Sequence, residues 1–271
     1  MKSGPRGWVG ETNRTVDRAL RVLSLVAESD DRLRFADIEA HTGMAKATLH
    51  EVIGSLLSAG WLTRDEEAGW LDVGPSAFEV GIRFPVHRSL REAAAPILSA
   101  LLDEFNETLH FGMLSGGDVV YVDRAVSRHP VRYAASIGQR LPAYATGLGK
   151  AMLATLDPAG LEELYPDGLT ALTTHTITSM DKLIEQLKVS RDRGYFLEEQ
   201  ESTIEVRCVG VLVPTASRPL ALSMTAPITR ASSEDLERVA PRLQAAAQQI
   251  AEAITTMDWF AGVIPAAQDE L

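Results

Sequence analysis

Gly43 interrupts what would otherwise be one long helical stretch near the N-terminus, and the elements on either side of it leave little choice of fold. Over residues 13–27, Val16, Ala19, Leu20, Leu23 and Val26 recur at helical spacing, with Arg14, Arg18 and Arg21 off that stripe. Ser29-Asp30-Asp31 stops this helix. A short strand-like Leu33-Arg34-Phe35 follows, then a brief helix from Ala36 to His41, broken by Thr42-Gly43. A longer helix runs from about Ala45 to Ala59 and ends at Gly60. Two short strand patterns, Trp61–Arg64 and Trp70–Val73, flank the polar turn 65–69. Helix, short helix, tight turn, longer helix and hairpin, in that order, predict a winged helix-turn-helix. A three-helix bundle serving as an interaction module shares that order.

The charge balance gives this reading no help. The whole chain carries 26 basic and 37 acidic residues, a formal net charge of −11. Nonspecific affinity for nucleic acid comes mainly from Lys and Arg neutralising phosphates, so a general polyanion binder is excluded. Nucleic-acid binding must rest on the pattern of elements. The single cysteine, Cys208, cannot form an intramolecular disulfide, fits a reducing cytosol and excludes a zinc finger. Met1–Gly10 does not resemble a signal peptide, and no run approaches the roughly 20 apolar residues that span a bilayer. The expected location is the cytoplasm, with no membrane partner.

After Pro75 a helix carries Phe78, Val80 and Ile82, and a second amphipathic helix spans about Arg88 to Phe105. Strands are predicted over 108–114, 119–126 and 131–136, a loop over 138–144, and a helix over 147–156. A short helix follows Asp157-Pro158, and Ser179 caps another that ends at Gly194. Strand signals return at 195–198, 206–213 and 220–226, before a last amphipathic helix over about 234–257. Strands grouped centrally between helices predict an α+β domain with an antiparallel sheet. The expected domains are a winged helix-turn-helix over 12–74 (helix-turn-helix about 35–54), a linker helix over 75–86 and a larger domain over 87–260.

Stepping 100° per residue along the third helix puts Leu49, Val52, Ile53, Leu56 and Leu57 on one face, which must pack inward. Lys46, Ala47, Thr48, His50 and Glu51 are then the candidates to meet DNA, with Arg34 ahead of the second helix. Lys46 and Thr48 suit phosphates. His50 and Glu51 can reach base edges, Glu accepting from a cytosine amino group.

Three stretches carry a resemblance. Val16 through Leu23, Gly43-Met44-Ala45-Lys46-Ala47-Thr48-Leu49-His50 and Gly60-Trp61-Leu62 resemble the DNA-binding domain of IclR-family regulators. Gly138-Gln139-Arg140-Leu141-Pro142 with Ala145 through Ala151 resembles the signature of that family's effector domain, as does Arg193-Gly194-Tyr195 through Val209. The resemblance covers about 13–257. It implies a GAF-like or profilin-like effector domain and a ligand-responsive transcription factor, a repressor of a catabolic operon. It further implies double-stranded operator DNA and a small organic acid, often aromatic, as partners, and a homodimer or tetramer. The family's ligand-contacting positions fall on Gly147, Leu148, Glu198, Val206, Cys208, Ser223 and Thr225. The chain departs from the family pattern at Glu51 (commonly Arg), at Ala45 and Ala47 (often Ser), in the wing Gly69-Trp70-Leu71-Asp72, and at Glu205 (usually Gly).

The residues themselves support an anion site. Thr146–Lys150 opens a helix, whose free N–H groups can receive a carboxylate, and Ser223 and Thr225 alternate on one strand face. Gly149-Lys150 is not a phosphate loop: Tyr144 stands where the first glycine belongs, and Ala151 replaces the required Ser or Thr. The histidines lack metal spacing and no nucleophile motif is present, so no enzyme, metal or cofactor is expected. The rival reading is a ligand-binding protein whose helix-turn-helix has become an interaction module; a uniformly negative face on the 45–55 helix and residues 1–21 would favour it.

Overall fold

The computed structural model describes residues 13–29, 31–81, 85–215 and 219–255. The chain divides into two compact units, Met1–Pro85 and Val86–Leu271.

In the first unit, α1 (Arg14–Glu28) opens under an Asn13 cap whose side chain accepts from the Thr15 N–H at 2.9 Å. α2 (Phe35–Thr42) ends at Gly43, whose φ of 63° reverses the chain into α3 (Lys46–Ser58). An L side chain adopts that left-handed conformation only at a cost, which is why the turn is built on glycine. Val22, Ile38, Leu49, Val52, Ile53, Leu56, Leu62 and Leu71 form the core, with Leu57 packed at its margin. The wing pairs β1 (Leu62–Arg64) antiparallel with β2 (Leu71–Val73). Leu33, expected within a short strand, makes a single bridge to Leu71, while Phe35 already belongs to α2. α4 (Pro75–Gly81) follows; of the linker helix expected over 75–86, residues 82–84 lie outside the described residues, and Pro85 and Val86 open the next helix.

The second unit is α+β. α5 (Pro85–Phe105) leads into β3 (Thr108–Ser115) and β4 (Asp118–Ala125), joined by a tight turn. Then come β5 (Arg140–Pro142), α6 (Gly147–Leu153), α7 (Pro158–Leu164), α8 (Met180–Arg193), β6 (Phe196–Glu199), β7 (Val206–Val213), β8 (Leu220–Pro227) and α9 (Ser233–Thr255). The six strands form one antiparallel sheet in the order β5-β4-β3-β8-β7-β6. Two sequence expectations are corrected. Residues 131–136 form no strand, although Val131 and Tyr133 suit one; Arg140–Pro142, inside the expected 138–144 loop, is the edge strand instead. Pro142 is tolerated there because an edge strand has one side with no ladder to donate to.

Strand alternation sorts the sheet into two faces. Leu109, Phe111, Met113, Val209, Val211, Leu222 and Met224 pack with α5 and α9 in an apolar core. The opposite face meets α6, whose Leu148 and Met152 join Leu183 of α8 and Phe196 in a second core. Among the described residues, no helix is long and apolar enough to cross a membrane.

Candidate functional site

On the α6 side the central strands carry a cluster of buried polar side chains, whereas the polar side chains of the other side, Asp123, Glu199 and Arg207, sit in ion pairs. Strand register aligns Thr108, Thr225, Cys208 and Glu198 in one row across β3, β8, β7 and β6. The adjacent row is His110, Ser223, Gly210 and Phe196. All six polar members, Thr108, His110, Glu198, Cys208, Ser223 and Thr225, are buried. Burying polar groups is costly unless they are bonded, so such a concentration needs a reason. Of the residues named from the sequence, Glu198, Cys208, Ser223 and Thr225 lie on this face. Thr108 and His110 beside them were not named, although their alternation with Leu109 and Phe111 was there to be read.

The helix α6 begins directly above this face. Thr146 caps it by accepting the Gly149 N–H at 2.9 Å, and the Gly147 N–H donates to Cys208 Sγ at 3.3 Å. Two of the N–H groups expected to be free for an anion are therefore already used within the fold. The thiol in turn donates to Glu198 Oε2 at 3.3 Å, while Glu198 Oε1 accepts the N–H groups of Glu201 and Ser202. Burial outweighs those bonds and lifts the Glu198 carboxyl to about 7. Burial, with the Glu198 charge next, pushes the Cys208 thiol well above its ordinary range, so it is a donor rather than a thiolate. Leu148 and Val206 are buried on the same side of the fold.

Lys150 is unavailable to a ligand. It lies buried in an ion pair with Glu201, a partnership that nothing in the sequence signalled. His110 is held by the Ala135 N–H, which donates to Nε2 at 3.1 Å, and Nδ1 stands 3.4 Å from Thr225 Oγ1. Its ring packs edge-on against Tyr121 and Tyr133. Burial and, second, the nearby Arg124 charge lower its pKa to about 3, so the imidazole is neutral. Among the described residues no cluster of His, Cys, Asp or Glu suits a metal ion.

In the first unit, Lys46, Ala47, His50 and Glu51 are exposed on α3 and Thr48 is half-buried. The His50 ring stacks on Phe35 of α2, centroids 4.1 Å apart, which fixes its direction. Arg34 is exposed, with its guanidinium 4.1 Å over the Trp70 ring at the wing. Trp61 packs into its own domain core. The exposed α3 face carries one Lys and one Glu, so it is mixed rather than uniformly negative.

Both units match known protein families. The profile described as the IclR helix-turn-helix domain matches residues 15–66, and that described as the bacterial transcriptional regulator IclR C-terminal domain matches 84–252. The chain belongs to the IclR family. It is a transcriptional regulator with a DNA-binding helix-turn-helix, not an enzyme. The HTH-type transcriptional regulator BhcR of Paracoccus denitrificans is 31% identical to it over 88% of this chain and 86% of BhcR. The transcriptional repressor IclR of Escherichia coli is 29% identical over 87% of this chain and 88% of its own length. A solved transcriptional regulator from Rhodococcus sp. RHA1 shares 28% identity and superposes with a TM-score of 0.73, covering 90% of this chain and 99% of that one. An IclR homologue from Microbacterium hydrocarbonoxydans, solved with 4-hydroxybenzoate, has the same fold at a TM-score of 0.76 and 22% identity, covering 89% of this chain and 99% of its own.

Proposed function

We propose that this IclR-family regulator is a repressor that binds operator DNA through α3 and Arg34 and releases it when a small organic acid occupies the polar face beneath α6. The observation that carries the ligand reading is the row Thr108-Thr225-Cys208-Glu198. With His110 and Ser223 in the adjacent row, it completes a set of six buried polar side chains on a face that also meets Leu148, Phe196 and Tyr121. Apolar walls with a few convergent polar groups describe a typical small-ligand site. Ser223 and Thr225 would hold carboxylate oxygens. Glu198, with its carboxyl at about 7, can meet a carboxylate in its protonated form. The aromatic complex of the Microbacterium homologue makes 4-hydroxybenzoate a rational first probe.

Lys46 would contact phosphate, Thr48 and Ala47 would lie against the backbone, and His50 and Glu51 would face base edges. One recognition helix buries too little surface for tight specific binding, so a homodimer or tetramer is part of the reading. Val16 and Leu20 on α1 and Phe78 and Val80 on α4 are exposed apolar residues that would serve such pairing.

The test is footprinting of the full-length protein on DNA upstream of its own coding sequence and its neighbours, with and without 4-hydroxybenzoate and other small acids. Protection of a two-fold symmetric site that an acid relieves is the expected result. No protected site, or sites unaffected by every acid bound in calorimetry, would overturn the repressor reading. Light scattering that gives a monomer both free and on the protected DNA would overturn the oligomer.

A further inference from the structure

We infer that His110 is a positioning residue that sets the hydrogen-bond polarity of Thr225, so that this site selects ligands presenting acceptor oxygens over isosteres presenting donors. The inference rests on the reading of the polar face as the ligand site, and adds to it a residue and a rule of selection.

A backbone N–H has no acceptor capacity, so the Ala135 N–H at 3.1 Å obliges Nε2 of His110 to be the acceptor. A neutral imidazole has one N–H, which must then sit on Nδ1. Nδ1 faces Thr225 Oγ1 at 3.4 Å. Thr225 therefore accepts from His110 and keeps its own proton to give. A threonine hydroxyl alone is indifferent, donating or accepting as the ligand requires; here one of its acceptor positions is already engaged.

The tautomer is secured from outside the site. Arg124 Nη1 holds the carbonyl oxygens of Ala134 and Ala135, at 3.3 Å and 2.7 Å. That clamp explains why residues 131–136 leave the sheet: their backbone is turned so that Ala135 presents its N–H inward to His110. The groups facing the ring are Arg124, Tyr121, Tyr133 and Thr225, with Ser223 directly across the strand pair. None of these is a carboxylate that could draw a second proton onto the imidazole. A chain of fixed donors thus runs from Ala135 through His110 to the Thr225 hydroxyl. Its mirror lies across the row, where Gly147 donates to Cys208 and Cys208 to Glu198.

Two measurements on the full-length protein test this. The first is long-range nitrogen–proton correlation spectroscopy of histidine-labelled protein, with His110 assigned by its loss in His110→Asn. The expected spectrum has the proton on Nδ1 and stays unchanged between about pH 5 and pH 8. A proton on Nε2, or a titration in that window, overturns the inference whatever the site binds. The second is calorimetry with matched acids and amides: 4-hydroxybenzoate with 4-hydroxybenzamide, and benzoate with benzamide. Wild type should prefer the acids, and His110→Phe should lose about tenfold of that preference, while His110→Asn, which keeps a donor near Nδ1, should retain it. An equal preference in His110→Phe overturns the selection rule. If neither acids nor amides bind wild type, the site reading fails and the rule falls with it, a result distinguishable from failure of the tautomer.

Discussion

A Cβ placed on Gly210 would lie 2.1 Å from the carbonyl oxygen of Gly147, so the start of α6 rests directly on the backbone of β7. The reverse view agrees: a Cβ on Gly147 would meet Cys208 Sγ at 2.8 Å and the Gly210 nitrogen at 3.1 Å. Gly210→Ala must lift α6, and overpacking of this kind costs roughly 1–3 kcal/mol. Chemical denaturation should show that loss. The same variant should lengthen the Gly147–Cys208 contact, and any acid bound in this site should bind more weakly. Wild-type stability in Gly210→Ala would mean that α6 does not sit where described.

Lys150 and Glu201 offer a second measurement. The pair is buried, and the second carboxylate oxygen of Glu201 has no hydrogen-bond partner among the described residues. Lys150→Met would leave an uncompensated buried carboxylate, a loss of about 3–5 kcal/mol. Lys150→Met combined with Glu201→Leu removes both charges and should recover most of it. A double variant no more stable than the single one would contradict this account.

The helix-turn-helix and the sheet were legible because their signals are local and redundant. Gly43 marks the turn, the Leu49/Val52/Ile53/Leu56 stripe marks the buried face of α3, and the alternation in 206–213 and 220–227 marks central strands. The 131–136 segment was misread because Val131 and Tyr133 have strand propensity, whereas its conformation is set by Arg124 and His110, remote in sequence. Lys150 was invisible for a similar reason. A lysine on a seven-residue helix reads as solvated until its distant partner, Glu201, is known.

Glu198 makes stability depend on pH in a definite direction. Its carboxyl rises from 4.5 to about 7 on folding, chiefly through burial. Below the unfolded value it is neutral in both states and costs nothing; as pH climbs toward 7 the unfolded chain ionises first, and the native state loses roughly 3 kcal/mol of relative stability. Glu198→Gln keeps the acceptor for the Glu201 and Ser202 N–H groups and removes the charge. Its stability relative to wild type should therefore grow between about pH 5 and pH 8. Thermal or denaturant melts in that window giving a constant difference would show that Glu198 does not titrate there.

Ala45 and Glu205, read from the sequence as departures from the family pattern, have structural costs that can be reversed. Ala45 occupies the N-cap of α3 without a side-chain bond to the helix. Ala45→Ser supplies one, for a gain of about 1 kcal/mol. Glu205 sits at φ 63°, a left-handed conformation costing about 1–2 kcal/mol for a residue with a side chain. Glu205→Gly relieves that strain while losing part of the gain to greater freedom of the unfolded chain. Each single variant should be more stable than wild type in denaturant melts. The sites lie in separate units, so the double variant should show additive gains. A destabilised Ala45→Ser would mean that the α3 start differs from the one described.

Glu51 bears most directly on DNA. It is exposed one position after His50, whose ring is fixed against Phe35, so the carboxylate projects from the same stretch of α3 that the reading assigns to base edges. Near phosphates a carboxylate is repelled, and its favourable role there is acceptance from a base amino group, the cytosine pairing being the one characteristic of Glu. Glu51→Arg exchanges that role for attraction to the backbone. Binding to nonspecific DNA should tighten, and the salt dependence should steepen by about 0.9 in the log–log slope for one new phosphate contact. Preference for the protected sequence over variants lacking the cytosine should shrink at the same time, because each base-specific contact contributes about 1–3 kcal/mol of discrimination. Glu51→Gln separates the two effects, since it removes the repulsion without adding a cation. It should tighten nonspecific binding less, leave the salt slope near that of wild type, and relax the cytosine preference. Fluorescence anisotropy on specific and scrambled duplexes over a range of salt concentrations measures all three quantities. If both variants reproduce wild-type affinity, slope and preference, Glu51 is a solvated residue and the recognition surface lies elsewhere on α3.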